Sequence, residues 1–319
     1  MESKKTILIT GAAGNLGGLL AKHLAAGDVN LHLFIHKKDA APELAMLPNI
    51  RIFRGDLARK ESLQEALQGV DVVIHFAGIL FKAKPEKFLP TTNTGYFKNL
   101  AEAAADARVK RIILISFPHV EGETTPENPA TGLLNGHPNS VHARTRLEEE
   151  KYLFTQCYKW GIEGVSLRVG MVYGRGILMI DAARWASKHH LLGIWKKPTS
   201  IHLISTIDFL NATKNAILNN HVSGVYHLGD EGMVTLQEFF DEACAHWNTH
   251  RPWRMPVWMI FTAARLCELW SAVFYTRSPL TVDFIRIGMT SYYGDTSRMR
   301  QELLPKLTYP TFREGIDTL

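Results

Sequence analysis

"KTILITGAAGNLGGLLAKHLA", residues 5–25, is the stretch on which the reading of this chain turns. Lys5 to Thr10 is a short apolar run with β-branched residues, which predicts a strand. It leads directly into Gly11-x-x-Gly14-x-x-Gly17. Leu16, Leu19, Leu20, His23 and Leu24 then fall on one face of a helix, which Gly27 is placed to end. Alone, three spaced glycines mark an ordinary tight turn. Between a strand and a helix they are the setting for a phosphate. Gly11 can take the positive φ of the turn, Gly14 lets the backbone approach the anion, and Gly17 lets the helix pack close to the strand. The helix start, at Asn15 and Leu16, offers free N–H groups.

The unit repeats downstream. "LHLFI" (31–35), "IRIFRGDL" (50–57), "DVVIHFAG" (71–78) and "RIILIS" (111–116) read as further strands. Helices are expected between them, including Glu61 to Leu67 and Asn93 to Ala107. Apolar strands without strict alternation suit a parallel sheet covered on both faces. The expected fold is therefore α/β: a Rossmann-type doubly wound parallel sheet with a smaller C-terminal substrate lobe. Residues 1–169 are assigned mainly to dinucleotide binding. Residues 170–319 are assigned mainly to the substrate lobe, interleaved with sheet-completing segments.

Composition narrows the partners. The 319 residues carry 36 Lys and Arg against 31 Asp and Glu, a net charge of +5. The cations are spread along the chain, with no basic block or RNA-binding motif, so a small-molecule substrate is expected rather than a nucleic acid. Cys157, Cys244 and Cys267 lack metal-site spacing. No metal is expected, and a reducing, cytoplasmic setting is the simpler assumption. Met1 to Lys5 is polar, and Thr6 to Thr10 is too short for a secretory apolar region. The most apolar stretch, Met255 to Tyr275, is interrupted by Arg265 and Glu268, which argues against a spanning helix.

The Gly11-x-x-Gly14-x-x-Gly17 spacing resembles the short-chain dehydrogenase/reductase superfamily, in particular its extended branch of epimerases, dehydratases and hydroxysteroid-type dehydrogenases. Further segments arrive in the family's order: "LRVGMVYG" (167–174), "HLISTIDF" (202–209), "GVYHLGDEGMVTLQEF" (224–239), "GDTSRMRQELLP" (294–305) and "PTFREGI" (310–316). The resemblance spans nearly the whole chain. It implies that Asp56 and Leu57 of "RGDL" meet the adenine, that Ala77 and Gly78 of "HFAG" line the cofactor, and that Asn93 stands where the family often has Asn. It also carries a homodimer as an expectation.

The end of the second strand selects the cofactor. An acidic residue there would bind the ribose hydroxyls of NAD and repel a 2′-phosphate. This chain has "FIHKKD" (34–39). His36, Lys37 and Lys38 suit a phosphate, so NADP(H) is favoured over NAD(H). A solvated lysine turn is the plain alternative, and Asp39 comes late for the acidic role.

The superfamily's redox chemistry uses a Tyr acid/base, a Lys four residues later, and a Ser or Thr after the fifth strand. Here "TRLEEEKYL" (145–153) resembles the segment carrying the Lys and places Arg146 at its position. His142 falls at the Tyr position. "SFPHVEG" (116–122) stands where the Ser is expected, and no Tyr lies between Tyr96 and Tyr152. Arg146 keeps the cation, and beside it a neutral His142 would be favoured as a substitute acid/base. His119, Glu121 and Glu123 lie on the neighbouring loop as alternatives. The plain readings are a capping histidine and a solvated arginine beside Glu149 and Glu150.

Three functions remain open. The first is an NADP(H)-dependent oxidoreductase acting on a lipophilic carbonyl or alcohol. The second is a non-redox lyase or isomerase reusing the cleft. The third is a catalytically silent NADP(H)-sensing or assembly protein. "WRMPVWMIFTAARLCELWSAVFY" (253–275) resembles an apolar helical segment of hydroxysteroid-type relatives. It is read as a buried lobe helix or dimer contact, with peripheral membrane contact through Trp253, Trp258 and Trp270 as the rival.

Overall fold

A computed structural model describes residues 4–79, 82–274, 276, 278 and 280–319. Tyr275, the last residue of the apolar segment, and Met1 to Ser3 lie outside the described residues. Seven strands form one parallel sheet: β1 (Lys5–Thr10), β2 (Val29–Ile35), β3 (Ile50–Arg54), β4 (Val72–His75), β5 (Arg111–Ser116), β6 (Glu163–Val169) and β7 (Gly224–Leu228). Their order is β7-β6-β5-β4-β1-β2-β3. The chain winds outward from β1 to β3, then returns to the other side of β1 with β4. That reversal opens a crevice at the carboxyl ends of β1 and β4.

The longer helices are α1 (Asn15–Ala25), α2 (Tyr96–Asp106), α3 (Val141–Trp160), α4 (Leu178–Lys188), α5 (Thr206–Leu218), α6 (Leu236–His246), α7 (Val257–Phe274) and α8 (Val282–Gly288). Their ends follow local chemistry. The Ala143 N–H donates to Ser140 Oγ at 3.1 Å to start α3, and Gly161 closes it at φ 67°. Thr235 and Glu238 form a reciprocal capping box at α6. Two expected helices are altered. Glu61 to Leu67 yields only a 3₁₀ turn, Lys60–Leu63, and Asn93 lies in a wide π turn, Pro90–Gly95, ahead of α2. α1 ends without a left-handed glycine: Ala26 keeps right-handed dihedrals, and the Gly27 N–H donates to the Leu24 carbonyl at 2.9 Å.

One apolar core runs from Ile7 to Leu319, so both halves of the chain share it. Asp208, fully buried on α5, holds the C-terminal segment by accepting the Thr308 and Tyr309 N–H groups at 2.7 and 3.0 Å. A second polar centre lies between α3 and β6. Arg168 and Glu150 are both fully buried and pair through Nη2 and Oε2 at 2.6 Å. Ser166 donates to Glu150 at 2.8 Å, Ser116 donates to the same oxygen, and Arg168 also pairs with Glu121.

Asp230, just past β7, is 2% exposed. Its Oδ1 accepts the Gly232 N–H at 3.0 Å, while Oδ2 has no partner. Burial pushes its carboxyl up to about 8. The folded protein therefore holds a proton at Asp230 that the unfolded chain releases near its ordinary value of 3.8. Stability from this group falls as pH rises between those values, by at most about 1.4 kcal/mol per pH unit. Asp230→Asn removes that slope. Urea denaturation at pH 5 and pH 8 is expected to show the variant gaining on the wild-type protein as pH rises; parallel curves would refute this.

Candidate functional site

The crevice is built on backbone proximity. Gly11, directly after β1, has φ 73°, and a Cβ there would lie 2.9 Å from the Ala77 nitrogen on the loop after β4. A Cβ on Gly17 would stand 2.5 Å from the Gly11 carbonyl oxygen. Both positions therefore require glycine. Gly14 is the N-cap of α1 and supplies no side-chain cap. The first-turn N–H groups of Asn15, Leu16 and Gly17 thus have no side-chain cap, the local chemistry that suits an anion. The Asn15 side chain does other work. Its amide donates to the Gly176 carbonyl at 2.6 Å and its Oδ1 accepts the Leu178 N–H at 3.0 Å, tying α1 to the start of α4.

At the end of β2, His36, Lys37 and Lys38 are exposed. His36 Nδ1 donates to the Gly55 carbonyl at 2.9 Å. The sequence reading missed Arg54, which parallel pairing sets beside Ile35. Arg54 donates to the His36 carbonyl at 2.6 Å and pairs with Asp39. The late acidic residue thus has its own cation. Asp56 and Leu57 are half-buried on the following turn, where Asp56 Oδ1 accepts the Ala58 N–H at 3.0 Å.

On the other side of the crevice, α3 presents His142 and Arg146 one turn apart. Arg146 lies against the Ala77–Gly78 loop, and its Nη2 would meet a Cβ on Gly78 at 2.7 Å. Its Nη1 pairs with Glu149 at 2.7 Å. Glu149 is fully buried, and burial pushes its carboxyl up to about 7 despite that pairing. Behind it, His75 shares a 2.7 Å hydrogen bond with Thr10 Oγ1. Burial, with Arg146 adding to it, pushes this imidazole down to about 3, so it is neutral.

His142 is held between two acceptors. Its Nδ1 meets Asp283 Oδ2 at 2.8 Å, and its Nε2 meets the Ile79 carbonyl at 3.1 Å. Arg146, one turn further along α3, is engaged by Glu149, so the acidic residue facing the His142 ring is Asp283. Asp283 lies on α8, 141 positions away in the chain, and no local motif announces it.

Other expected site residues stand elsewhere. Asn93 is 1% exposed and donates to Thr145 Oγ1 at 3.0 Å, bracing α3, while its Oδ1 has no partner. His119 is buried between Phe117 and Tyr292, with ring centroids at 4.4 and 4.3 Å. Burial pushes it down to about 3, so it is neutral, and its Nε2 lies 3.2 Å from the Thr290 carbonyl. Glu121 belongs to the Arg168 cluster and also accepts the Gly132 N–H at 2.7 Å. Among the described residues no group of three or more His, Cys, Asp or Glu side chains could hold a metal.

A doubly wound parallel sheet with a glycine turn at its switch point defines a nicotinamide-dinucleotide-binding fold of the extended short-chain dehydrogenase/reductase kind. The chain belongs to the NAD-dependent epimerase/dehydratase family, whose model matches residues 7–191. It is 32% identical to a uronate dehydrogenase of Pseudomonas putida over 187 residues, 58% of this chain and 68% of that protein. Against a 4-hydroxy-2-methyl-3-oxo-4-farnesyl-3,4-dihydroquinoline-1-oxide ketoreductase of Stigmatella aurantiaca it is 27% identical over 241 residues, 72% of this chain and 70% of that one. The UDP-glucuronic acid 4-epimerase of Bacillus cereus, solved with UDP-glucuronic acid and NAD, shares the fold. Its TM-score is 0.75 at 18% identity, covering 98% of this chain and 97% of that chain. Homologues of this kind are dehydrogenases, epimerases and dehydratases, so an enzyme with a pyridine-nucleotide cofactor and a small-molecule substrate is supported.

Proposed function

We propose that the chain is an NADP(H)-dependent oxidoreductase for a lipophilic carbonyl or alcohol, with His142 as its acid/base. The observation that carries this reading is the His142 imidazole, set at the crevice between Asp283 and the Ile79 carbonyl, where the superfamily places its tyrosine. The glycine turn fits a dinucleotide, because Gly11 packs on the Ala77 backbone and Gly17 on the Gly11 backbone too closely for any Cβ, which lets α1 start directly at the carboxyl end of β1. Bound there, the nicotinamide supplies or accepts the hydride. Asp283 fixes the ring through Nδ1 and keeps that hydrogen. A substrate oxygen then takes the place of the Ile79 carbonyl at Nε2, and the proton passes between that nitrogen and the oxygen. Arg146, steadied by Glu149, is placed to hydrogen-bond a ribose hydroxyl beside Ala77 and Gly78.

His36, Lys37, Lys38 and Arg54 support a 2′-phosphate at the end of β2, since Asp39 is already paired. Calorimetry is expected to show NADPH binding at least about tenfold tighter than NADH, or about 1.4 kcal/mol. Exchanging Lys37 and Lys38 for Glu should reverse the preference, and Arg146→Ala should weaken both nucleotides. Equal binding of the two by the unaltered protein would remove the NADP(H) assignment.

The lipophilic substrate is supported by the farnesylated substrate in the name of the Stigmatella relative. A sugar substrate is the second reading, favoured by the uronate dehydrogenase match. A panel of hydrophobic ketones and alcohols beside uronic acids and UDP-hexoses separates them. On the responding substrate His142→Ala is expected to lower kcat about 10²- to 10⁴-fold, the usual contribution of a positioned acid/base. A fully active His142→Ala would remove His142 from the mechanism. Turnover without net change in nicotinamide absorbance would favour a lyase or isomerase. Tight NADPH binding with no turnover would favour a sensing or assembly role.

A further inference from the structure

α7 is 18 residues long, has a mean hydropathy of 1.4, and is only 11% buried. The expectation of a buried lobe helix is therefore corrected. Only Ile260 and Ala264 are buried, on the side facing the rest of the lobe. Glu268 fastens that side by accepting the Val282 N–H at 3.0 Å, which ties α7 to α8. The outward side presents Trp258, Leu266, Leu269, Trp270, Val273 and Phe274, all more than half exposed. Trp253 stands exposed beside them, its Nε1 donating to the His190 carbonyl at 3.0 Å. Monomeric soluble proteins rarely leave so much contiguous apolar surface open.

The exposed charges in this stretch of the chain share one sign. Between residues 251 and 286 the sequence has two carboxylates, Glu268 and Asp283. Both are turned inward, to Val282 and His142. Arg251, Arg265 and Arg286 are exposed, and so are Lys196 and Lys197. These lysines follow the short strand Gly193–Trp195, which pairs with Trp253–Met255 at the foot of α7.

We propose that α7 docks this protein on an anionic lipid surface, lying along the interface with its tryptophans at headgroup level. Indole rings favour that depth, and exposed arginines and lysines meet anionic headgroups. A spanning helix does not fit: Ile260, Ala264 and Glu268 hold one side to the lobe, and Arg265 sits mid-helix. A second copy fits less well, because a two-fold pairing of this face sets Arg265 and its neighbours against their own cations. The inference does not depend on the cofactor or substrate assignment.

The test is flotation of the purified full chain with vesicles of phosphatidylglycerol and phosphatidylcholine, or of phosphatidylcholine alone, with light scattering for oligomeric state. Binding to the anionic vesicles is expected. Paired Leu269→Glu and Trp270→Glu changes should lower it about tenfold or more, and Arg265→Glu or high salt should also lower it. NADPH binding and the melting temperature should be unchanged, since these side chains are exposed. No flotation with anionic vesicles would overturn the proposal, as would flotation that the paired change leaves intact. A solution dimer that the same change splits, with no vesicle binding, would assign the face to a second copy instead.

Discussion

Glu150→Ala is expected to destabilise the protein by about 3–5 kcal/mol, the usual result of stripping one partner from a buried ion pair. Glu150 and Arg168 are fully buried. Removing the carboxylate leaves Arg168 Nε without its partner and takes the acceptor from Ser116 and Ser166. Glu121 remains, paired with Arg168 and accepting the Thr131 and Gly132 N–H groups. Burial opposes charge on Glu121, but the His227 contact, Arg168 and those backbone groups hold its carboxyl below the usual range. One carboxylate is thus left opposite a guanidinium that two had enclosed. Urea denaturation should show the midpoint falling with little change in slope. A Glu150→Leu, Arg168→Met double variant should recover much of the loss, because the unpaired buried charge is gone. A loss below about 1 kcal/mol for Glu150→Ala would mean water reaches this cluster.

Gly17→Ala is the second large effect, and it separates nucleotide binding from chemistry. The added Cβ would stand 2.5 Å from the Gly11 carbonyl oxygen and 3.0 Å from its carbon. These are backbone atoms, so no side-chain rotation relieves the contact. α1 must move away from β1, and the first-turn N–H groups move with it. NADPH affinity is expected to drop about 100-fold, or roughly 2.7 kcal/mol. Gly69 is the control. Nothing lies within 4 Å of its added Cβ, although its φ of 69° still gives an alanine some local strain. Calorimetry on folded protein, with melting temperature recorded alongside, measures the effect. Unchanged affinity in Gly17→Ala would remove the glycine turn from the nucleotide site.

Local signals in the chain account for most of the fold. β1, the glycine turn and α1 lie within 25 consecutive residues, and apolar period and glycine chemistry specify each step. β5 agrees with the expected Arg111 to Ser116 at both ends because an unbroken apolar run has few alternatives. Weak segments were harder to place. Glu61 to Leu67 has the spacing of a helix, but it shortened to one turn between β3 and β4.

The site divides along the same line. At Gly11 and Gly17 a backbone requirement leaves a residue type behind in the sequence. Arg54 was available to a closer reading, since parallel strands set the ends of β2 and β3 side by side. Asn93 and His119 are both buried, which residue type and family position do not report. Whether a polar side chain faces a crevice or braces a helix depends on its neighbours across the fold.

The sequence by itself determined the strand–turn–helix unit, the parallel sheet and the cationic end of β2, all properties of contiguous residues. Only the tertiary structure set Asp283 against His142, buried Glu149 behind Arg146, and left the apolar side of α7 uncovered. Each of these joins groups far apart in the chain or depends on what does not pack against a helix. A long-range contact and an unfilled face have no local period, cap or turn chemistry to announce them.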